Sequence, residues 1–214
     1  VTFKNCVFDG ADKGFAVWWD GVDDHLSGSC TIDNCVVKGF SHWMLLDANT
    51  DSATPTTALT YVTFTNNYIA STDTDGVGSI AFRGLQSAPG ELAKINNNYF
   101  QYYSQSLFWS ACEVNNFKHV IVKDNTIKVL TAIDSTDDDG FFQAWSQASV
   151  WKLEAERNKC ESVNVAYQLA LGNVGSSATF YGCTPDSYIK IAASDFTGNS
   201  AHNVRNAVSL LYPW

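Results

Sequence analysis

Thr63-Phe-Thr-Asn-Asn-Tyr-Ile69 and Lys94-Ile-Asn-Asn-Asn-Tyr-Phe100 are two copies of one phrase, and their likeness decides the fold. In each, a short strand runs into a polar turn centred on Asn, and an apolar residue closes the turn. The phrase continues outward in both directions. Upstream stand Val1-Thr-Phe-Lys-Asn-Cys-Val-Phe8 and Thr31-Ile-Asp-Asn-Cys-Val-Val37; downstream stand Ile121-Val-Lys-Asp-Asn-Thr-Ile127, Glu154-Ala-Glu-Arg-Asn-Lys-Cys160 and Lys190-Ile-Ala-Ala-Ser-Asp-Phe196. Alignment stacks Phe3, Ile32, Phe64, Ile95, Val122, Ala155 and Ile191 in one column. Phe8, Val37, Ile69, Phe100, Ile127, Cys160 and Phe196 form a second, and Cys6, Cys35, Asn67, Asn98, Asn125, Asn158 and Ser194 a third. A repeat of roughly 30 residues carrying short strands, with no helical periodicity between them, predicts an all-β solenoid of about seven coils.

The third column has a physical rationale. Asn tolerates the left-handed backbone of a tight turn. Stacked Asn amides also hydrogen-bond from coil to coil, satisfying polar groups buried at a bend. The Asn residues are therefore read as builders of the fold. Cys6 and Cys35 share that column, so they should sit one above the other. Either a disulfide or a stacked pair of free thiols fits, and parallel side chains point the wrong way for the bridge. Cys160, in a core column, reads as a small hydrophobe.

Each repeat carries a further apolar segment: Phe15 to Trp19, Trp43 to Leu46, Ile80 to Phe82, Leu107 to Trp109, Phe141 to Trp145, Val165 to Leu169 and Ala207 to Leu211. Polar loops rich in Gly, Asp and Ser lead back to the next copy, and variable loops on a constant frame are where such folds build sites. Four Pro occur and none interrupts a copy of the phrase, as ladder hydrogen bonding requires.

The 214 residues carry 45% apolar and only 16% charged side chains, which predicts one ordered domain over 1–214. Because Val1 already lies inside a repeat, the chain is expected to belong to a longer polypeptide, with further segments or subunits covering the open ends. A formal net charge of −9 argues against nucleic acid or an anionic membrane surface as partner. No run of eighteen apolar residues exists, so membrane insertion is not expected. Seven Trp, thirteen Phe and nine Tyr must partly serve the core, and so many Trp also suit an exposed stacking surface.

From Val1 to about Leu130 the chain resembles the pectate lyases, polysaccharide lyases of family one, which are right-handed parallel β-helices. Five passages carry the likeness. Val1 to Phe8 is similar to the family's V-W-I-D-H-C-x-F. Asp20-Gly-Val-Asp-Asp24 followed by Thr31-Ile-Asp-Asn34 resembles D-G-x-x-D and then T-I-S-N. Phe40-Ser-His-Trp-Met-Leu-Leu46 then Asp51-Ser52 looks like H-D-K-x-M-L-L then D-S. Val62 to Ile69, Arg83-Gly84 and Asn96-Asn-Asn-Tyr-Phe100 follow the order of V-T-x-x-H-N-Y-F, R-x-G and N-N-Y-F. Val114 to Val122 is similar to a later G-V-N-A-x-I-L-V passage.

The resemblance implies a protein outside the cell or on a surface that binds or cleaves a uronate-containing polysaccharide. Cleavage would be by β-elimination, in which a base removes the proton α to the uronate carboxyl group while Ca²⁺ and cationic side chains neutralise that carboxylate. Asp20 and Asp24 match two calcium carboxylates, hard oxygen ligands suited to Ca²⁺. The third calcium carboxylate is replaced by Lys4, which either supplies one unit of positive charge to substrate or points to solvent. His42 stands at the family's substrate-binding Lys, and a His there can bind or deprotonate a sugar near neutral pH. Arg83 matches the last Arg of R-x-P-R-x-R. Asp75-Gly-Val-Gly-Ser79 stands where the first Arg of that motif, the family's base, would fall. His42 and Arg83 are the expected catalytic pair, and Trp18, Trp19 and Trp43 the expected sugar-stacking residues.

Two other classes remain open on the same scaffold. A tailspike-like glycoside hydrolase would use two carboxylates roughly 5–9 Å apart. A non-catalytic adhesin or structural module would present Trp and Asp to glycan or to neighbouring chains. No nucleophile motif of the G-x-S-x-G kind occurs, so acyl chemistry is not expected.

Overall fold

The computed structural model describes residues 1–9, 28–38, 44–47, 59–71, 80–83, 90–102, 110–115, 117–130, 140–145, 152–161, 165–170, 193–195, 198–202 and 206–211. These form short strands only. The first repeat supplies β1 (Thr2–Lys4) and β2 (Val7–Asp9). The second supplies β3 (Gly28–Asp33), β4 (Val36–Lys38) and β5 (Met44–Asp47), and the third β6 (Leu59–Thr65), β7 (Tyr68–Ser71) and β8 (Ile80–Arg83). The pattern continues with β9 (Gly90–Asn96), β10 (Tyr99–Tyr102) and β11 (Ser110–Asn115), then β12 (Phe117–Lys123), β13 (Thr126–Val129) and β14 (Gly140–Trp145). Next come β15 (Lys152–Glu156), β16 (Lys159–Glu161) and β17 (Val165–Ala170), and last β18 (Ala193–Asp195), β19 (Ser200–His202) and β20 (Asn206–Leu211).

Every strand pairs in parallel with its equivalent in the next repeat. A first sheet runs β1-β3-β6-β9-β12-β15-β18, a second β2-β4-β7-β10-β13-β16-β19, and a third β5-β8-β11-β14-β17-β20. The chain visits them in turn, so among the described residues each repeat from the second onward adds one strand to each sheet. Among the described residues no helix is long and apolar enough to cross a membrane.

Period-two alternation decides which side chains go inside. Ile32, Phe64, Ile95, Val122 and Ala155 are buried, as are Val37, Ile69, Phe100, Ile127 and Cys160. The rings of Phe64 and Phe100 lie 6.2 Å apart, and Phe64 also meets Phe82 of the third sheet at 5.5 Å. Cys30, Val62, Ala93, Val120 and Leu153 form a further buried column two residues upstream of the first. Phe3 and Phe8 meet edge to face at 5.8 Å and are only half-buried in the first repeat.

The third column lines the bend between the first two sheets. Asn67, Asn98, Asn125 and Asn158 are buried. The Asn98 backbone N–H and side-chain amide both donate to Asn125 Oδ1, at 2.9 and 3.0 Å. Asn125 does the same to Asn158 Oδ1, at 3.0 and 2.9 Å. The second amide proton of Asn98 goes to Phe64 O at 2.9 Å, and that of Asn125 to Ile95 O at 2.6 Å. Every polar atom of the ladder's central amides thus has a partner, which permits their burial.

Left-handed backbone sits one residue earlier than expected. Asn5, Asn34, Asn66, Asn97, Asp124 and Arg157 have φ between 53° and 58°, and Gly198 has φ 63°. The two tasks assigned to one Asn are therefore divided between neighbours: the outer residue turns the chain and the inner one bonds along the stack. Outer side chains form their own exposed links, Asn34 Nδ2 to Asn5 Oδ1 at 2.7 Å and Asn97 Nδ2 to Asn66 Oδ1 at 2.8 Å.

The seventh copy is displaced by five residues from its expected alignment. Leu153 pairs with Ser194 and Glu154 with Asp195. Asn158 donates to Asn199 Oδ1, at 2.8 Å from its backbone N–H and 3.1 Å from its amide. The phrase is thus Asp195-Phe-Thr-Gly-Asn-Ser-Ala201, with Asn199 rather than Ser194 in the ladder. Ile191 and Phe196 fall outside the described residues. In the fourth repeat the third-sheet strand is Ser110–Asn115, just beyond the expected Leu107 to Trp109.

Cys6 and Cys35 are free thiols. Cys35 takes the ladder's next position: its N–H donates to Asn67 Oδ1 at 2.9 Å, and its thiol points to Asp33 O at 3.4 Å and Phe3 O at 3.7 Å. Burial raises the Cys35 thiol above its usual range, pushes Cys30 up to about 11 and Cys160 up to about 12. All three stay protonated and behave as small hydrophobes.

Candidate functional surface

Of the residues singled out from the sequence, the structure describes Lys4 fully and Arg83 by its backbone. Lys4 ends β1 on the exposed outer side of the first sheet, in register with Asp33. The Asp33 carboxyl is held below its usual value, first by the Asn66 amide, then by Thr65, with Lys4 adding a smaller electrostatic contribution. Arg83 ends β8 in the third sheet, in register with Asp47 and Asn115. The two cations therefore lie on different sheets and do not share a strand neighbour. His42, Trp43, Trp18, Trp19, Asp20 and Asp24 lie outside the described residues. The strand that follows His42 and Trp43 in sequence, β5, is nevertheless the direct neighbour of β8, with Met44 opposite Ile80.

Calcium finds no support from Lys4, whose ammonium offers no oxygen ligand. Among the described residues, no group of three or more His, Cys, Asp or Glu side chains is gathered as a metal ion would need.

The outer side of the first sheet holds a charged network that the sequence reading did not pick out. Glu154 on β15 sits opposite Ile121 and reaches to both sides of it. Its Oε1 lies 2.9 Å from His119 Nε2 and its Oε2 2.5 Å from Lys123 Nζ. Lys123 also meets Glu156 at 2.8 Å. Glu156 accepts from Arg157 Nη1 at 2.7 Å, and Arg157 grips both oxygens of Asp124, at 2.7 and 2.8 Å. Lys118 pairs with Glu91.

The electrostatic consequences follow from these contacts. The bond from Glu154, then that from Glu156, holds the Lys123 ammonium above its usual value. Arg157 holds the Asp124 carboxyl below its own, and Lys123 does the same for Glu156. Glu154, paired with Lys123, also holds the His119 ring through Nε2.

Beside this network the same face is less charged. Register aligns Tyr61, Leu92 and His119 across three adjacent strands, with Thr63, Lys94 and Ile121 in the next row. Tyr61 is 49% exposed. Alternation was the signal that could have found these residues: each flanks a buried position, Val62, Ala93 or Val120. On the second sheet, Tyr68 and Tyr99 stack with centroids 5.6 Å apart and planes 8° from parallel. Their faces are turned along the stack of strands, so the pair presents edges to solvent and reads as packing.

Compared with family models, with curated proteins and with solved structures, the chain matches none.

Proposed function

We propose that the chain is a right-handed parallel β-helix that binds a uronate-containing polysaccharide outside the cell or at a surface, and cleaves it by β-elimination slowly or not at all. The observation that carries this reading is the visit to three parallel sheets in turn, once per repeat, in a chain whose motifs follow the pectate-lyase order. That order of strands supports closure of the repeats into a helix, and the right-handed crossover preferred by parallel strands supports its hand. Arg83 lends further support, because β8 adjoins the strand that follows His42 and Trp43.

Turnover is expected to be weak for a chemical reason. Elimination needs a base at the α-carbon as well as positive charge on the carboxylate. Gly76-Val-Gly-Ser79 supplies no cationic side chain where the family's base would stand. Loss of a positioned base costs roughly 10²–10⁴ in rate.

The test is a screen of polygalacturonate and neutral glycans, with and without Ca²⁺, read by binding, by absorbance of unsaturated product and by reducing sugar. The expected result is uronate binding that weakens on Trp43→Ala, with any lyase activity dependent on His42 and Arg83. Fast release of unsaturated product that survives both His42→Ala and Arg83→Ala would overturn this assignment. Reducing sugar without unsaturation would identify a hydrolase, and absence of glycan binding a structural module.

A further inference from the structure

We propose that the outer face of the first sheet, at Tyr61, Leu92, Lys94 and His119, is a binding site for a carboxylated sugar, distinct from the surface around Arg83. The proposal rests on the uronate reading above and adds to it a place and a set of contacts. These residues reach one another only through strand register. Tyr61, Leu92 and His119 occupy one row on β6, β9 and β12, and Lys94 lies two residues along β9 on the same outward side. Adjacent strands are about 4.8 Å apart, so the four side chains span a patch the size of one or two sugar rings.

Each supplies a different part of what such a sugar requires. Tyr61 is half exposed and Leu92 lies beside it, giving an aromatic and aliphatic floor for the apolar C–H face of a pyranose. Lys94 is the cation. The nearby carboxylates are engaged elsewhere, Glu91 with Lys118 and Glu154 with His119 and Lys123. Ile121 separates Lys94 from Glu154, since Lys94 and Glu154 are its two register partners. Among the described residues Lys94 therefore has no counter-ion. In a chain of net charge −9, such a cation is a local attraction for a carboxylate.

His119 adds direction. Its Nε2 lies 2.9 Å from Glu154 Oε1, and the Glu154 side chain is only 14% exposed, so the ring is held in place. Nδ1 is not used by Glu154 and can hydrogen-bond a sugar hydroxyl. A neutral sugar would satisfy Tyr61 and His119 but leave Lys94 without a partner. A carboxylated one satisfies all three.

The experiment titrates a galacturonate oligosaccharide, and its neutral galactose counterpart, into the native chain and into Tyr61→Ala, Lys94→Gln and His119→Gln. Lys159→Gln, on the second sheet, serves as the control. Native chain should bind the acidic oligosaccharide better, more weakly as salt rises. Tyr61→Ala and Lys94→Gln should each weaken it roughly tenfold, and Lys94→Gln should erase the preference over the neutral sugar. On the native chain, NMR should show ligand-induced shifts at the Leu92 and Ile121 methyls and the His119 ring, a readout that needs no substitution. Binding that persists unchanged in Tyr61→Ala and Lys94→Gln, with those native resonances unmoved, would overturn this site and leave the uronate reading standing. Failure of the native chain to bind the acidic oligosaccharide would overturn both.

Discussion

Replacing Asn125 with Ala removes an amide that serves three repeats at once. Asn125 Oδ1 accepts the Asn98 backbone N–H at 2.9 Å and the Asn98 amide at 3.0 Å, while its own amide donates to Ile95 O at 2.6 Å and Asn158 Oδ1 at 2.9 Å. Truncation orphans two donors on Asn98 and one carbonyl on Ile95. Asn158 Oδ1 keeps the Asn125 backbone N–H at 3.0 Å. Asn98 is 2% exposed and Asn125 0%, so the lost partners are not replaced by bulk water. A buried donor left unmade costs about 1–3 kcal/mol, which puts the two at about 2–6 kcal/mol. That is a large part of the roughly 5–15 kcal/mol that holds a typical domain together. Asn97→Ala, one residue away, is the control. Its amide is exposed and makes one bond to Asn66, so the expected cost is the left-handed backbone, about 1–2 kcal/mol. Urea unfolding compares the two variants, and amide hydrogen exchange at Asn98 reads the local effect. Equal midpoints for both variants, with unchanged protection of the Asn98 N–H, would refute the claim that the inner ladder is the stronger element.

Three further outcomes are expected. Gly198→Ala should lower the melting temperature, because Gly198 has φ 63° and an added Cβ would lie 2.9 Å from Arg157 Cγ; a melting curve identical to the native one would contradict that close approach. Asp124 should titrate below its usual 3.8 because Arg157 donates to it. A depressed folded value means its contribution is fully present above 3.8 and lost as pH falls through the lower folded value. Arg157→Gln should bring Asp124 back toward 3.8 in an NMR titration and remove its share of the stability lost on acidification. Calcium binding by calorimetry should be weak, since Lys4 stands where a third carboxylate would be, and should vanish in Asp20→Ala/Asp24→Ala.

Repetition made the architecture legible. Phe64, Ile95 and Val122, or Ile69, Phe100 and Ile127, are all apolar and spaced alike, and alternation alone sends them inward. The buried Asn column was legible for the same reason, since a short side chain with two amide donors and an acceptor oxygen can bond both along the stack and to the backbone. What repetition could not assign was the division of labour within an Asn-Asn pair. Both residues suit a turn, and only the backbone angles put left-handed φ on Asn97 and the ladder on Asn98. The seventh copy misled because its turn residue is Gly198 and its closing residue Ala201, which hid the phrase behind a better apolar match at Ile191 and Phe196. The Asn158–Asn199 hydrogen bonds decide the register, because an amide ladder cannot skip a rung without orphaning a buried donor. The surface patch belongs wholly to tertiary structure. Tyr61, Leu92, Lys94 and His119 are spread over three repeats with no motif among them, and parallel register at about 4.8 Å per strand is what makes them neighbours.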